Sequence, residues 1–144
     1  MACPLLLLTD SEAIEPAVSG AKGAALARMK QAGLPVPDAF ILPTEAFRAM
    51  VNTLPRQALN ALREEHSDAA QIAAGALRDG ALSEPWLDAL QKAHTALGSR
   101  AVSARSSSTA EDGAEASFAG QYDTALNLVH LNGLIDGIGR VWAS

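Results

Sequence analysis

The residues of this chain that are best suited to chemistry lie in a polar run at 105–112, which reads RSSSTAED. The run opens with Arg105, and four hydroxyl-bearing residues follow it directly: Ser106, Ser107, Ser108 and Thr109. Arginine stays charged and presents a planar fork of donors that matches phosphate, and hydroxyls add neutral donors around the same anion. Because apolar stretches flank the run, we expect a short strand that delivers Arg105 into a loop suited to holding an oxyanion.

Two of these features also have purely structural interpretations. Arg105 has Glu111 and Asp112 on the same loop as possible ion-pair partners. Hydroxyls at this density are costly at a buried strand end without hydrogen-bond partners, and a bound anion supplies partners, so the pattern favours an anion site. Further along, Gly120 either lets a backbone N–H approach a ligand or makes a turn. Thr124 is either a ligand contact or a strand former.

A second segment, GAKGAAL at 20–26, places Lys22 between two glycines at the predicted start of a helix. N–H groups and the positive end of the helix dipole attract phosphate there, and the lysine adds a mobile charge. The spacing is not that of a P-loop, which needs four residues between its glycines and a Ser or Thr after the lysine. Taken alone, the segment favours a surface lysine in a helix start that is rich in small residues.

The composition is that of an ordinary globular domain. The chain has 144 residues, of which 49% are apolar and 19% charged, enough for one domain with its own core. A net charge of -5 argues against a general nucleic-acid binder but not against one small anion held by local cations. The single cysteine, Cys3, allows no disulfide within the chain and favours a reducing compartment. Because no stretch is apolar enough to cross a membrane, we expect a cytoplasmic protein.

The three histidines offer no metal site. His66 and His94 lie on predicted helices, and His130 lies at the end of a predicted strand. None has a second candidate ligand at metal spacing. The sequence therefore predicts no metal ligands within the chain.

The elements that must position these residues follow from hydrophobic spacing and turn residues. Apolar runs predict strands at 5–8, 39–42, 101–104 and 122–129. Helical spacing predicts helices at 20–31, 44–52, 55–66, 69–78, 83–97 and 131–144, with a loop or a brief turn at 11–19. Thr44 is the expected N-cap of the second helix, and Gly33 is expected to end the first. The sequence thus predicts an α+β fold in which a helical scaffold, including the subregion 44–97, supports a small, mainly antiparallel sheet.

Two pairs of stretches resemble the ATP-binding domain of the phosphoenolpyruvate synthase (pyruvate, water dikinase) family, which is shared with pyruvate phosphate dikinase and rifampicin phosphotransferase. Residues 19–26 and 32–40 (SGAKGAAL and AGLPVPDAF) are similar to the family's glycine-lysine-glycine helix start and its AGLPVPxGF. Residues 105–112 and 117–124 (RSSSTAED and SFAGQYDT) are similar to RSSATAED and SFAGQxDT. The order is that of the family's N-terminal portion, although 44–97 matches only in its helical character.

The resemblance implies that residues 1–144 are the first part of an ATP-grasp-like nucleotide-binding domain. In this family ATP phosphorylates a histidine on a separate swivelling domain, which carries the phosphoryl group to pyruvate or another small acceptor. Lys22 and Arg105 match the family residues that grip the phosphates and act in catalysis. Other ATP-binding positions are matched by Gly120 and Thr124 and, within the same motif, by Ser106, Ser107 and Gln121.

The resemblance also implies parts that 144 residues cannot hold: the second half of the ATP site with its Mg²⁺ ligands, the phosphohistidine domain and the acceptor domain. We therefore expect a chain truncated at its C-terminus and inactive alone, with ATP and those domains as partners and no role for nucleic acid or membranes. An alternative is a stand-alone, non-catalytic nucleotide- or anion-binding regulatory module derived from this domain. The plainest alternative is a helical scaffold whose hydroxyl loop binds nothing.

Overall fold

Six helices and two short antiparallel ribbons form the described part of the chain. The computed structural model describes residues 4–64, 67–80, 82–109 and 124–144. The helices are α1 (Pro16–Gln31), α2 (Thr44–Val51), α3 (Arg56–Ala61), α4 (Ser67–Asp79), α5 (Trp86–Ala96) and α6 (Leu131–Ala143). The strands are β1 (Leu6–Leu7), β2 (Phe40–Ile41), β3 (Val102–Arg105) and β4 (Thr124–Leu128). This arrangement confirms the predicted α+β class.

The strands form two separate ribbons instead of one small sheet. β1 pairs antiparallel with β2 and places Leu6 opposite Ile41. β3 pairs antiparallel with β4 and places Arg105 opposite Thr124. The two ribbons share the main core in part: Phe40 of β2 packs against it together with β4 and α6, whereas Ile41 of β2 joins a small cluster with α1. The ribbon of interest for chemistry is therefore β3–β4.

The loop or brief turn predicted at 11–19 is wrong for its second half, because α1 already begins at Pro16. A short 3-10 helix covers Ser11–Ile14, and α1 begins at Pro16. Proline suits the first helical position, where its missing N–H has no helical partner in any case. The sequence predicts that the helix starts at residue 20. At this position α1 is instead interrupted, because Gly20 adopts non-helical angles, φ 70° and ψ 171°.

The end of α1 follows the prediction made for Gly33. This glycine has φ 80°, a left-handed conformation that glycine adopts without steric cost. The Leu34 N–H donates to the Met29 carbonyl at 3.0 Å, and the Gly33 N–H donates to the Lys30 carbonyl at 3.0 Å. These two bonds form the Schellman arrangement that ends many helices.

The N-cap role predicted for Thr44 is wrong. Pro43 occupies the N-cap position of α2, and no side chain caps the helix there. Thr44 already lies in the first turn of α2, and its Oγ1 donates a hydrogen bond to the Ala17 carbonyl at 2.8 Å. The hydroxyl therefore ties α2 to the part of α1 that precedes Gly20.

The main core lies where α5, α6 and the β3–β4 ribbon meet. Its buried residues are Leu5, Ala46, Leu82, Trp86, Ala89, Leu90, Ala125, Leu128, Leu134, Ile138 and Val141. A second cluster joins α2, α3 and α4 through Met50, Leu54, Ala58 and Leu77. Trp142 of α6 packs against both clusters and meets Phe47 edge to face, with ring centroids 5.4 Å apart. No described helix combines the length and apolar character that crossing a lipid bilayer requires.

Gly137 lets α6 pack tightly against β4. A Cβ at this position would lie 2.7 Å from Leu128 Cδ1 and 3.2 Å from Ala125 Cβ. We expect Gly137→Ala to lower the free energy of unfolding by about 1–3 kcal/mol, because the added methyl overpacks the core. Denaturant unfolding of the 144-residue chain measures this change.

The matched control for this prediction is Gly133→Ala on the same helix. Nothing lies within 4 Å of a Cβ built at Gly133. Alanine has the higher helix propensity, so this change should be neutral or stabilising by up to about 1 kcal/mol. Equal destabilisation by the two substitutions would contradict the packing role of Gly137.

Candidate functional site

The two segments that the sequence marks for chemistry meet at Gly20. A Cβ on this residue would collide with the backbone carbonyl group and the Oγ of Ser107. Gly20 is buried, and its φ of 70° lies in the region that L side chains rarely adopt. Both the space and the backbone angle therefore require glycine where α1 touches the loop that follows β3.

Three hydrogen bonds hold the segments together. The Gly23 N–H donates to Ser107 Oγ at 2.8 Å, and Ser107 Oγ donates to the Ser19 carbonyl at 2.7 Å. The Ala21 N–H donates to the Ser108 carbonyl at 3.0 Å. We call residues 19–23 and 106–108 the junction.

Lys22 lies within the junction, between the two residues whose N–H groups bond to the loop. Its side chain is exposed. The sequence suggested that N–H groups at this helix start would attract phosphate, but those of Ala21 and Gly23 already have protein acceptors. The attraction of this segment for an anion therefore depends on the Lys22 ammonium and on the helix dipole more than on those two N–H groups.

Arg105 and Thr124 lie side by side at one end of the β3–β4 ribbon. They are Cα partners across the ribbon, and both are exposed. Along β3, Val102 and Ala104 are partly buried against the core whereas Ser103 and Arg105 are exposed, as the alternation of a half-buried strand requires. The strand thus presents the Arg105 guanidinium on its outer face, immediately before the junction.

Two hydroxyls at the junction are buried without a hydrogen-bond partner among the described residues: Ser19 Oγ and Ser106 Oγ. A buried hydroxyl without a partner costs about 1–3 kcal/mol, so a ligand that reached either oxygen after a local rearrangement would gain a favourable hydrogen bond. Ser106 is one of the residues that the sequence predicts to bind ATP. Ser19 was not predicted, although its place directly before Gly20 in the first motif was a usable signal.

Some of the predicted site residues lie outside the described part of the chain. Gly120 and Gln121 lie outside the described residues, as do Glu111 and Asp112, the alternative ion-pair partners of Arg105. The structure therefore brings together the segment of Lys22 with Ser106 and Ser107, and it pairs Arg105 with Thr124. For Gly120 and Gln121 the assignment stays a prediction.

The two histidines that the structure describes, His94 and His130, are not part of the junction. His94 is buried on α5, and its Nε2 lies 3.1 Å from the Arg100 carbonyl, a contact that ties the helix to the next loop. His130 is exposed at the N-cap of α6. Within the described ranges no group of three or more His, Cys, Asp or Glu side chains is arranged to hold a metal ion.

Comparison with known proteins gives a consistent family match. The family model described as "Pyruvate phosphate dikinase, AMP/ATP-binding domain" matches residues 17–144. A rifampicin phosphotransferase from Streptomyces sp is 35% identical over 148 residues, covering 95% of this chain and 17% of the relative. A probable phosphoenolpyruvate synthase from Methanocaldococcus jannaschii is 33% identical, covering 88% of this chain and 12% of the relative. The phosphoenolpyruvate synthase of Aeropyrum pernix is 32% identical, covering 97% and 19% respectively.

Proposed function

Because the chain belongs to the family of pyruvate phosphate dikinase AMP/ATP-binding domains, we propose that it is the ATP-binding part of a phosphotransferase similar to phosphoenolpyruvate synthase. In this proposal ATP phosphorylates a histidine on a separate swivelling domain, and that domain passes the phosphoryl group to pyruvate or another small acceptor. The observation that carries the proposal is the junction, which joins the segment of Lys22 to the loop that follows Arg105. The similarity to proteins named phosphotransferase and phosphoenolpyruvate synthase supports the same reaction class.

The proposed roles follow from the chemistry of phosphoryl transfer, which relies on positioned cations more than on covalent steps. Lys22 supplies a mobile ammonium and Arg105 a planar guanidinium, so together they hold the phosphates and offset the charge that develops during transfer. Thr124 lies opposite Arg105 and adds a hydroxyl donor at the same edge. Ser106 adds a buried hydroxyl that has no partner among the described residues and would gain one from the nucleotide.

The remaining contacts in the proposal come from residues that the structure does not describe. Gly120 and Gln121 are proposed to complete the ATP contacts. Mg²⁺ is proposed to accompany ATP and to neutralise part of the phosphate charge. The described residues lack a cluster that fits the ion, so its protein ligands are expected elsewhere and no step of the reaction is assigned to it here.

Lys22→Ala tests the proposal through nucleotide affinity. In the full-length phosphotransferase that carries this segment, we expect the substitution to weaken Mg-ATP binding at least tenfold, about 1.4 kcal/mol, because one of the two phosphate-binding cations is lost. Isothermal titration calorimetry measures the affinity. Because the 144-residue chain spans a small fraction of its relatives, we expect it to bind Mg-ATP at least about tenfold more weakly than the full-length protein.

Lys30→Ala is the control for this measurement. Lys30 lies near the end of α1, about two helical turns beyond the junction, and its substitution should leave the affinity unchanged. Unchanged affinity in the Lys22 variant would remove the proposed role of that residue in ATP binding.

A further inference from the structure

The Ser107 hydroxyl has no proton left for a ligand. A serine hydroxyl carries one proton and two lone pairs. Here the proton is donated to the Ser19 carbonyl at 2.7 Å, and one lone pair accepts the Gly23 N–H at 2.8 Å. A phosphate oxygen needs a donor, so Ser107 does not act as an anion donor while these contacts persist. This differs from the direct ATP contact that the motif predicts for the residue.

The two groups that bond to the Ser107 hydroxyl, the Ser19 carbonyl and the Gly23 N–H, would bond to each other in a regular α-helix. Ser19 and Gly23 are four residues apart, which is the spacing that a direct backbone hydrogen bond joins in an uninterrupted α-helix. The Ser107 hydroxyl bridges this pair from a loop more than eighty residues later in the chain, at separations of 84 and 88 residues. A side chain inserted into the helical hydrogen-bond ladder is a known cause of sharp kinks. The kink here falls at Gly20, inside the bridged turn.

Lys22 lies in this same turn, so its position depends on the inserted hydroxyl. With the hydroxyl in place, Gly20 stays non-helical, and the Ala21 N–H reaches the Ser108 carbonyl. Without it, the Ser19 carbonyl and the Gly23 N–H are free to bond directly and straighten α1. Straightening would change the backbone direction at residues 20–23, and with it the position of Lys22 relative to the loop that follows Arg105.

We infer that Ser107 is a positioning residue for phosphoryl transfer, and that its hydroxyl sets the placement of Lys22 relative to Arg105 by holding the kink in α1. This inference rests on the proposed function, since it concerns the same two cations. The neighbouring Ser106 differs from Ser107 in its hydrogen bonding, because its buried hydroxyl has no partner among the described residues.

A double-mutant cycle between Ser107→Ala and Lys22→Ala tests the inference in the full-length phosphotransferase. The measured quantity is the rate of ATP-dependent phosphohistidine formation. We expect Ser107→Ala alone to lower this rate about 10- to 100-fold, because misplacing a reacting group by about 1 Å has effects of that size. We further expect Lys22→Ala to cost much less in the Ser107→Ala background than in the wild type, because residues that act as one unit are not additive.

The controls separate positioning from loss of structure. Ser103→Ala removes an exposed hydroxyl from β3 and should leave the rate unchanged. In the 144-residue chain, the Cα chemical shift of Gly20 should move toward a helical value in Ser107→Ala, because the kink is released. If Ser107→Ala does not fold, Ser107→Cys serves instead, since a thiol is a weak donor and acceptor and should give an intermediate rate and shift.

The outcomes distinguish the inference from the proposed function. A wild-type rate in Ser107→Ala, or strictly multiplicative losses with Lys22→Ala, would overturn the positioning role while leaving ATP binding by Lys22 intact. A wild-type Gly20 shift in Ser107→Ala or Ser107→Cys would overturn the mechanism by which Ser107 holds the kink. A wild-type rate in Lys22→Ala would remove the proposed role of Lys22, whereas absence of ATP-dependent phosphohistidine formation in the unsubstituted protein would overturn the proposed function itself.

Discussion

Under the proposed function, Arg105→Ala is expected to lower ATP-dependent phosphohistidine formation roughly 10³-fold in a full-length protein that carries this segment, since an arginine that steadies the transferring phosphoryl group contributes that much or more. Arg105 is exposed at the end of β3, so the free energy of unfolding should change by no more than about 0.5 kcal/mol. A single-turnover assay of phosphohistidine formation measures the rate. Chemical denaturation of the same variant measures the stability.

Two further substitutions sharpen the test at Arg105. Arg105→Lys keeps a positive charge but loses the planar fork, so it should recover only part of the lost rate. Arg100→Ala removes another exposed arginine just before β3 and should leave the rate unchanged. A small effect of Arg105→Ala, equal to that of Arg100→Ala, would show that Arg105 is not a phosphate-binding residue.

Gly20→Ala is expected to abolish activity through geometry without removing any charge. The new Cβ would collide with the Ser107 backbone, which no change of rotamer relieves, and the φ of 70° would be strained for alanine. The chain can escape by expelling the loop and straightening α1, which disrupts the junction. We expect about 100-fold or greater loss of phosphohistidine formation and destabilisation of about 1–3 kcal/mol.

Gly33→Ala is the matched control for Gly20→Ala. Gly33 also has a left-handed backbone, with φ 80°, but nothing lies within 4 Å of a Cβ built there. This variant carries a cost for a positive φ, about 1–2 kcal/mol, without a steric collision, and it should leave the rate of phosphoryl transfer unchanged. If the two variants lost activity equally, the contact between Gly20 and Ser107 would not be the cause.

Local patterns predicted most elements because each depends on nearby residues. The apolar stripe of α6 and the glycine that ends α1 are decided within a few residues, and both appear as predicted. The wrong predictions concern residues whose hydrogen-bond partners lie far away in the sequence. The Thr44 hydroxyl turns to the Ala17 carbonyl, a partner 27 residues away, instead of capping its own helix. The division into two ribbons likewise depends on strand pairing between residues far apart in the sequence, such as Leu6 with Ile41.

The hydrogen bonds within the candidate site could not be predicted from the sequence, and the assignment of its residues to ATP binding stays a prediction. The resemblance to a known family, confirmed by the match over residues 17–144, associated Lys22 with Arg105. No spacing rule indicates that the hydroxyl of Ser107 would be used by the backbone of α1, because its partners lie 84 and 88 residues earlier. The glycine at position 20 was a partial signal, since it permits the kink that this contact requires.

The inserted hydroxyl also has a consequence for biosynthesis. The 84 residues between Gly23 and Ser107 take roughly 4–17 s to synthesise at about 5–20 residues per second. During this interval nothing from the later loop holds the bend in α1, so the nascent segment is free to form an unbroken helix. The bend, and with it the proposed arrangement of the two cations, can form only after Ser107 has been synthesised and has left the ribosome.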